Sequence, residues 1–124
     1  GNDIIDEIAP QPRDIVIRKL KPSAFSSTPL NAFLTQLGAD SLIVTGTTTS
    51  GCVRASVIDA FSENYRVTLA EEGCFDRSEA SHAINLCDMN AKYADVIGAD
   101  EVLEHINGLG DLDYNLPSGT PGGA

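Results

Sequence analysis

Positively charged side chains are scarce in this sequence, and their scarcity excludes one class of partner. Eight lysines and arginines stand against eighteen aspartates and glutamates, so the formal net charge is −10. A surface that binds nucleic acid needs basic side chains opposite the phosphates. The composition therefore argues against a nucleic-acid partner, and we interpret the acidic excess as favouring solubility.

Long hydrophobic runs are also missing. No apolar stretch approaches the roughly 20 residues that a membrane-spanning helix needs. No stretch has the charged start, apolar middle and small-residue cleavage site of a signal peptide. We expect a protein without a membrane partner, whose 124 residues suffice for one domain.

Cysteine occurs only at Cys52, Cys74 and Cys87. An odd number of cysteines without a Cys-x-x-Cys spacing suits neither a disulfide framework nor a zinc site. We therefore predict a reducing, cytoplasmic location. In that setting Cys74 and Cys87 are expected to be small buried hydrophobic residues.

Apolar periodicity predicts alternating strands and helices along the chain. The predicted strands are residues 14–19, 41–46, 66–70 and 94–97. The predicted helices run from Thr28-Pro29 to Gly38, from near Cys52 to Phe61, from 77 to about 92, and from 100 to 106. This order predicts an α/β fold of three layers (αβα), with a Rossmann-like parallel sheet covered by helices. Residues 1–107 are expected to belong to one domain, and residues 108–124 to form a flexible tail rich in glycine and proline.

The stretch GTTTSGC, residues 46–52, lies between a predicted apolar strand and a predicted helix. Ligands of open α/β sheets bind beyond the carboxyl ends of the strands, and small residues there let a substrate approach the backbone. At the first turn of the helix, unpaired N–H groups and the helix dipole favour the thiolate form of Cys52. The same N–H groups can hold an oxyanion. From this pattern alone, Cys52 is either a nucleophile or a buried structural residue.

Basic residues follow the first predicted strand, at Arg18, Lys19 and Lys21. The carboxyl ends of parallel strands converge on one edge of the sheet, so a lysine there could reach Cys52. A nearby ammonium group would further favour the thiolate. The alternative is an ordinary solvated charge, because lysine is usually exposed.

Three segments together resemble a known family, the isochorismatase-like cysteine hydrolases, and most closely their N-carbamoylsarcosine amidohydrolase branch. The segments are DIVIRKLKPSAFSSTPL, LIVTGTTTSGCVRASVIDAF and FDRSEASHAINLCDMNAKYADVI. The resemblance runs from about Ile8 to Ile106, and its middle segment is the most specific.

The resemblance implies hydrolysis by a triad of aspartate, lysine and cysteine, through a thioester. Cys52 matches the nucleophile and Lys19 matches the lysine, with Lys21 as the second choice. The implied oxyanion hole consists of the backbone N–H groups of Thr48 and Cys52. The implied loop contains Thr47, Thr48 and Thr49, with a cis peptide bond between Thr47 and Thr48.

The resemblance also implies a substrate-binding arginine. Arg77, which follows Asp76, matches the residue that holds the substrate carboxylate, and a guanidinium group suits that role. The alternative for Arg77 is a surface charge at the start of a helix. We interpret four further polar residues of the third helix as structural or interface residues, namely His82, Asn85, Asp88 and Lys92.

The aspartate of the triad has no counterpart here. The family places it on a first strand, and no such strand precedes Asp14. The chain thus resembles the carboxyl-terminal part of the domain, with strands 3–6 of a sheet in the order 3-2-1-4-5-6. We expect a companion polypeptide that carries strands 1 and 2 with the aspartate, and hence a homo- or hetero-oligomer.

The expected activity is cleavage of a C–N bond in a small amide or carbamoyl compound that bears a carboxylate. No metal or other cofactor is needed for it, and the two histidines, His82 and His105, are far apart in the sequence. Two alternatives stay open. One is a catalytically inactive binding or scaffold subunit, and the other is a nicotinamidase-like hydrolase.

Overall fold

The structure is a computed structural model and describes residues 3–110. A short 3-10 turn spans Asp6–Ile8, and a π-helical turn spans Thr49–Val53. The α-helices are α1 (Leu30–Leu37), α2 (Arg54–Ser62), α3 (Glu79–Lys92) and α4 (Ala99–Gly108). The strands are β1 (Ser41–Thr47), β2 (Arg66–Phe75) and β3 (Asp95–Ile97).

The three strands form a parallel sheet in the order β1-β2-β3. Ser41 lies beside Arg66 at one end of the pairing, and Thr47 lies beside Phe75 at the other, with a register shift between Val44 and Gly46. The connections through α2 and α3 are the crossovers that parallel strands require. The α/β architecture predicted from the sequence is therefore confirmed.

The apolar core lies on one face of β2. Val57 of α2, Leu69 of β2 and Met89 of α3 are fully buried in a single cluster. Successive strand residues point to opposite faces of a sheet, so Thr68 points away from Leu69. Thr68 lines a cavity with Val102 of α4, which places α4 on the other face. The sheet thus has helices on both sides, which makes three layers.

The helix boundaries follow local signals in the sequence. Gly38 ends α1 in the left-handed conformation, at φ 68°, as its glycine predicts. The helix begins at Leu30, one residue later than predicted, and the hydroxyl of Thr28 accepts the Leu30 N–H at 3.3 Å. Ser78 caps α3, because its hydroxyl accepts the Ser81 N–H at 3.3 Å.

The strand predicted at residues 14–19 is wrong. This segment forms no strand in the described chain, and Val16 is 52% exposed. A strand exists through hydrogen bonds to a neighbouring strand, and residues 14–19 have none beside them in the sheet β1-β2-β3. The apolar, β-branched composition of this segment indicates strand propensity. The segment forms no strand because it has no neighbouring strand to pair with.

Strand β1 is more exposed to solvent than an apolar parallel strand usually is. None of its seven residues is buried, and Ile43 is 44% exposed. It pairs only with β2 in the described chain, so its other edge is open. Cavities of about 420 Å³ and 640 Å³ lie along it, and both include Leu42 and Ile43 in their walls. The burial that its sequence predicts is therefore not reached within residues 3–110.

Two further predictions concern the ends and location of the chain. Helix α4 extends through Gly108, so the predicted tail starts inside a helix, and residues 111–124 lie outside the described residues. Among residues 3–110, no helix has the length and apolar character to cross a membrane. The cytoplasmic location stays a prediction.

Candidate active site

The loop after β1 carries Cys52 directly into α2. The peptide bond between Thr47 and Thr48 is cis, which confirms the prediction. The turn Thr49–Val53 that follows has a kink at Gly51, whose φ of −111° and ψ of −105° are not helical. The Thr48 carbonyl accepts N–H groups from Gly51 at 2.9 Å and from Val53 at 3.2 Å. These two hydrogen bonds therefore hold the residues on either side of Cys52 in a tight turn.

Two glycines allow this loop. Gly46 has φ 129°, a conformation that residues with a side chain rarely adopt. At Gly51, an added Cβ would lie 2.6 Å from the Thr48 hydroxyl oxygen, which is closer than such atoms approach. The two glycines of GTTTSGC thus allow the backbone conformation that places Cys52 at the end of β1.

Cys52 and Lys19 line the same cavity, of about 420 Å³. Cys52 is half-buried, and Thr47 also contributes to the wall. Most of the remaining wall is apolar and comes from Phe25, which precedes α1, and from residues of α1 and β1 such as Leu34 and Val44. No aspartate or glutamate of residues 3–110 lines this cavity. Cys52 and Lys19 therefore belong to the wall of one cavity, and no acidic side chain of the described chain is part of that wall.

Lys19, rather than Lys21, is the lysine at the cavity. Lys21 is absent from the wall, whereas its backbone carbonyl accepts the Lys19 ammonium group at 3.0 Å. The assignment of Lys19 as the lysine of the triad stays a prediction. Arg18 is exposed and is not part of the wall either.

The segment after Lys19 is fixed to α2 next to Cys52. Ala24 donates its backbone N–H to the Ser56 hydroxyl at 2.9 Å, and Ser23 is buried. The Thr28 hydroxyl donates to the Ala24 carbonyl. Ser56 also lines the cavity, and sequence reasoning missed it. It stands one helical turn after Cys52, so helical spacing could have placed it on the same side of α2.

Two contacts connect the cysteine loop to its neighbours. The Thr49 hydroxyl lies 2.7 Å from Nδ1 of His82 on α3. The Ser50 N–H donates to the Asp76 carboxylate at 2.8 Å, and the Arg77 N–H donates to its other oxygen at 2.8 Å. The contact of His82 fits the structural role predicted for it, whereas the sequence analysis gave Asp76 no contact with the loop.

Hydrogen bonds lower the pKa of Asp76 below its ordinary value of 3.8. The Ser50 hydroxyl is the main cause, followed by the Ser50 N–H and by Arg77. Because the folded pKa is lowered, the ionised carboxylate stabilises the fold above pH 3.8. This stabilisation is lost as the pH falls through the folded pKa.

Arg77 does not line the cavity of Cys52 and Lys19. It is exposed and precedes α3, which starts at Glu79, so the predicted start of the helix at 77 is two residues early. Its backbone and charge act on Asp76, as described above. A role for its guanidinium group in substrate binding stays a prediction.

The other polar residues of α3 have partners on α2. Arg54 donates to Asn85 at 2.7 Å and approaches Asp88 at 3.4 Å. These contacts fit the structural role predicted for Asn85 and Asp88. Lys92 is exposed in the last turn of α3.

The remaining cysteines differ from each other. Cys74 is buried, as predicted, and burial raises the pKa of its thiol. Cys87 is exposed, so the prediction that it is buried is wrong. Leu86 and Met89 lie on the face of α3 that packs into the core, and Cys87 lies on the outer face. Among residues 3–110, no group of three or more His, Cys, Asp or Glu side chains could hold a metal ion.

The fold and this site define a class of protein, an α/β domain with a cysteine where a parallel strand meets a helix. The chain belongs to the isochorismatase family, whose sequence model, described as the isochorismatase domain, matches residues 1–101.

Two curated relatives and a solved structure show how the chain compares. N-carbamoylsarcosine amidase from an Arthrobacter species is 39% identical over 114 residues, which cover 92% of this chain and 43% of the relative. Maleamate amidohydrolase from Pseudomonas putida is 35% identical over 104 residues, covering 84% and 49%. An isochorismatase-like hydrolase from Alkaliphilus metalliredigens superposes with a TM-score of 0.82 at 29% identity, covering 86% of this chain and 58% of that one. The chain therefore spans about half the length of the curated relatives it matches.

Proposed function

We propose that this chain carries the nucleophile of a cysteine amidohydrolase that cleaves a C–N bond of a small carboxylate-bearing amide or carbamoyl compound. The supporting observation is that Cys52 and Lys19 share one cavity at the carboxyl end of β1. The similarity to N-carbamoylsarcosine amidase and maleamate amidohydrolase supports the substrate class, because both names describe amide-bond cleavage in small molecules.

The proposed reaction has two steps. The Cys52 thiolate attacks the amide carbon, and the resulting oxyanion is held by the N–H groups of Thr48 and Cys52. The C–N bond breaks, the leaving nitrogen takes a proton, and a thioester remains on Cys52. Water then attacks the thioester and releases the acid with the free thiol. Lys19 stabilises negative charge near the sulfur.

The acid that moves the proton comes from polypeptide outside residues 3–110. No carboxylate of the described chain lines the cavity, so the described residues do not supply the acid that the proposed reaction needs. The open edge of β1 is where a further parallel strand can pair, and such a strand would bring its carboxyl end to the Cys52 loop. We propose that a companion polypeptide carrying an aspartate occupies this edge.

Reconstitution tests the companion. We expect residues 1–124 alone to show no turnover, and activity to appear only with additional polypeptide bound. The measurement is turnover of N-carbamoylsarcosine or maleamate, together with the intact mass of every polypeptide in the active sample. Addition of the same polypeptide to a Cys52→Ala chain serves as the control. Full activity of a 124-residue monomer without any partner would contradict the proposal.

Arg77 is proposed to hold the substrate carboxylate. Arg77→Ala is expected to raise KM about 10- to 100-fold for a carboxylate-bearing substrate, since a charge-assisted hydrogen bond is lost. The KM for an uncharged amide of similar size should change little. Arg66→Ala is the matched control, because Arg66 lies at the opposite end of β2 and pairs with Asp40 at 3.5 Å. An equal effect of Arg77→Ala on both substrates would argue against carboxylate recognition.

A further inference from the structure

Thr49 presents a buried hydroxyl in the loop that carries the nucleophile. The residue is fully buried, and a buried hydroxyl without a partner is costly. Its partner is Nδ1 of His82, at 2.7 Å. His82 belongs to α3 and lies 33 positions further along the chain, so this contact joins the loop to a separate element.

The neighbouring residue is held from a second direction. The Ser50 N–H donates to Asp76 at 2.8 Å, just beyond the end of β2. Thr49 and Ser50 stand between Thr48 and Cys52, the two residues whose N–H groups are proposed to hold the oxyanion. The segment between these groups is thus fixed by one side chain from α3 and another from the end of β2.

We propose that His82 is a positioning residue, which acts through the Thr49 hydroxyl to keep the N–H groups of Thr48 and Cys52 aimed at one point. This inference rests on the proposed function, because it assigns a part of the proposed oxyanion site. A displacement of about 1 Å in such a site costs roughly 100-fold in rate, so a remote hydrogen bond that fixes the loop has a measurable effect on catalysis.

The matched variants are His82→Leu, which removes the ring nitrogen, and His82→Asn, which keeps a polar atom near the position of Nδ1. In the active assembly, His82→Leu is expected to lower kcat about 10- to 100-fold with KM changed less than about threefold, and His82→Asn to restore most of kcat. Thr49→Val should cause a similar loss. The double variant of Thr49→Val and His82→Leu should lose no more than either alone, because both remove the same hydrogen bond.

Reaction with iodoacetamide separates this inference from the proposed function. Alkylation needs the Cys52 sulfur but forms no oxyanion, so His82→Leu should lower the alkylation rate much less than it lowers kcat. If wild-type Cys52 is unreactive and no substrate is turned over, the proposed function fails. If wild type is active and His82→Leu keeps full kcat, the positioning role of His82 is overturned and the proposed function stands.

A measurement that needs no turnover tests the hydrogen bond between His82 and Thr49 itself. Amide hydrogen exchange at residues 49–52 should rise about tenfold in His82→Leu, the effect of one lost hydrogen bond, and stay near wild type in His82→Asn. Exchange at Leu69, in the core, is the control for global destabilisation. Unchanged exchange in the loop of His82→Leu would overturn the inference even if the protein proves to have another activity.

Discussion

Replacement of Cys52 by alanine is expected to abolish amide hydrolysis, with kcat lowered by about 10,000-fold or more. The proposed thioester cannot form without the sulfur, and loss of a nucleophile usually removes most of the rate that an active site provides. The measurement is turnover of the active assembly on an amide that bears a carboxylate. Intact mass after rapid quenching should show an acyl adduct on wild type and none on Cys52→Ala.

The other cysteines supply the controls for this experiment. Cys87→Ala changes an exposed residue of α3 and should leave kcat within about twofold. Cys74→Ala alters a buried position, so its effect should appear in thermal stability rather than in the adduct. Substantial turnover by Cys52→Ala would exclude the cysteine mechanism.

Replacement of Lys19 by methionine is expected to lower kcat about 10- to 1,000-fold, the second largest effect that we expect. Methionine keeps much of the apolar side chain in the cavity wall but removes the positive charge that we propose to act near the sulfur. The measurement combines kcat with the rate at which iodoacetamide alkylates Cys52, and both should fall. Lys21→Met is the matched control, since Lys21 is absent from the cavity wall, and it should stay within about threefold of wild type.

The two lysine variants discriminate between three interpretations. A large loss in Lys19→Met alone supports the assignment. A large loss in Lys21→Met alone would make Lys21 the lysine of the triad. If neither variant loses activity, both lysines are ordinary solvated charges and the site works without an ammonium group beside the thiol.

The sequence predicted the position of Cys52 between a strand and a helix because each signal for that position is local. The end of an apolar strand, a run of small residues and the start of a helix lie next to one another in GTTTSGC, so backbone geometry alone places Cys52. The cis peptide between Thr47 and Thr48 came from the family resemblance instead. Gly38 likewise marked the end of α1 correctly, because its left-handed conformation is a property of a single residue.

The failures concern contacts between distant segments. Residues 14–19 have strand propensity, but a strand also needs a neighbour, which the described chain does not supply. Cys87 was predicted to be buried from the average behaviour of cysteine, whereas its place on α3 is decided by Leu86 and Met89. The contact of His82 with Thr49 joins two elements that no sequence spacing relates, so it became visible only in three dimensions.

Within residues 3–110, the open edge of β1 and the lack of a carboxylate in the cavity wall have one proposed explanation. The strand exposes Ile43 and is bordered by cavities, while its relatives are about twice as long as this chain. A companion strand would cover the apolar residues of β1 and place an acidic side chain at the same end of the sheet as Cys52. The stability and the chemistry of the domain would then both depend on the companion strand.

Competitive alkylation tests the central claim most directly, that the fold activates one particular thiol. The three cysteines are treated together with a limiting amount of iodoacetamide at neutral pH, and the label on each is quantified by peptide mass spectrometry. Exposure alone would label Cys87 first, because Cys52 is half-buried and Cys74 is buried with a raised pKa. We expect Cys52 to be labelled at least about tenfold faster than Cys87. Labelling of Cys87 ahead of Cys52 would show an inert thiol at the cavity and would contradict the account.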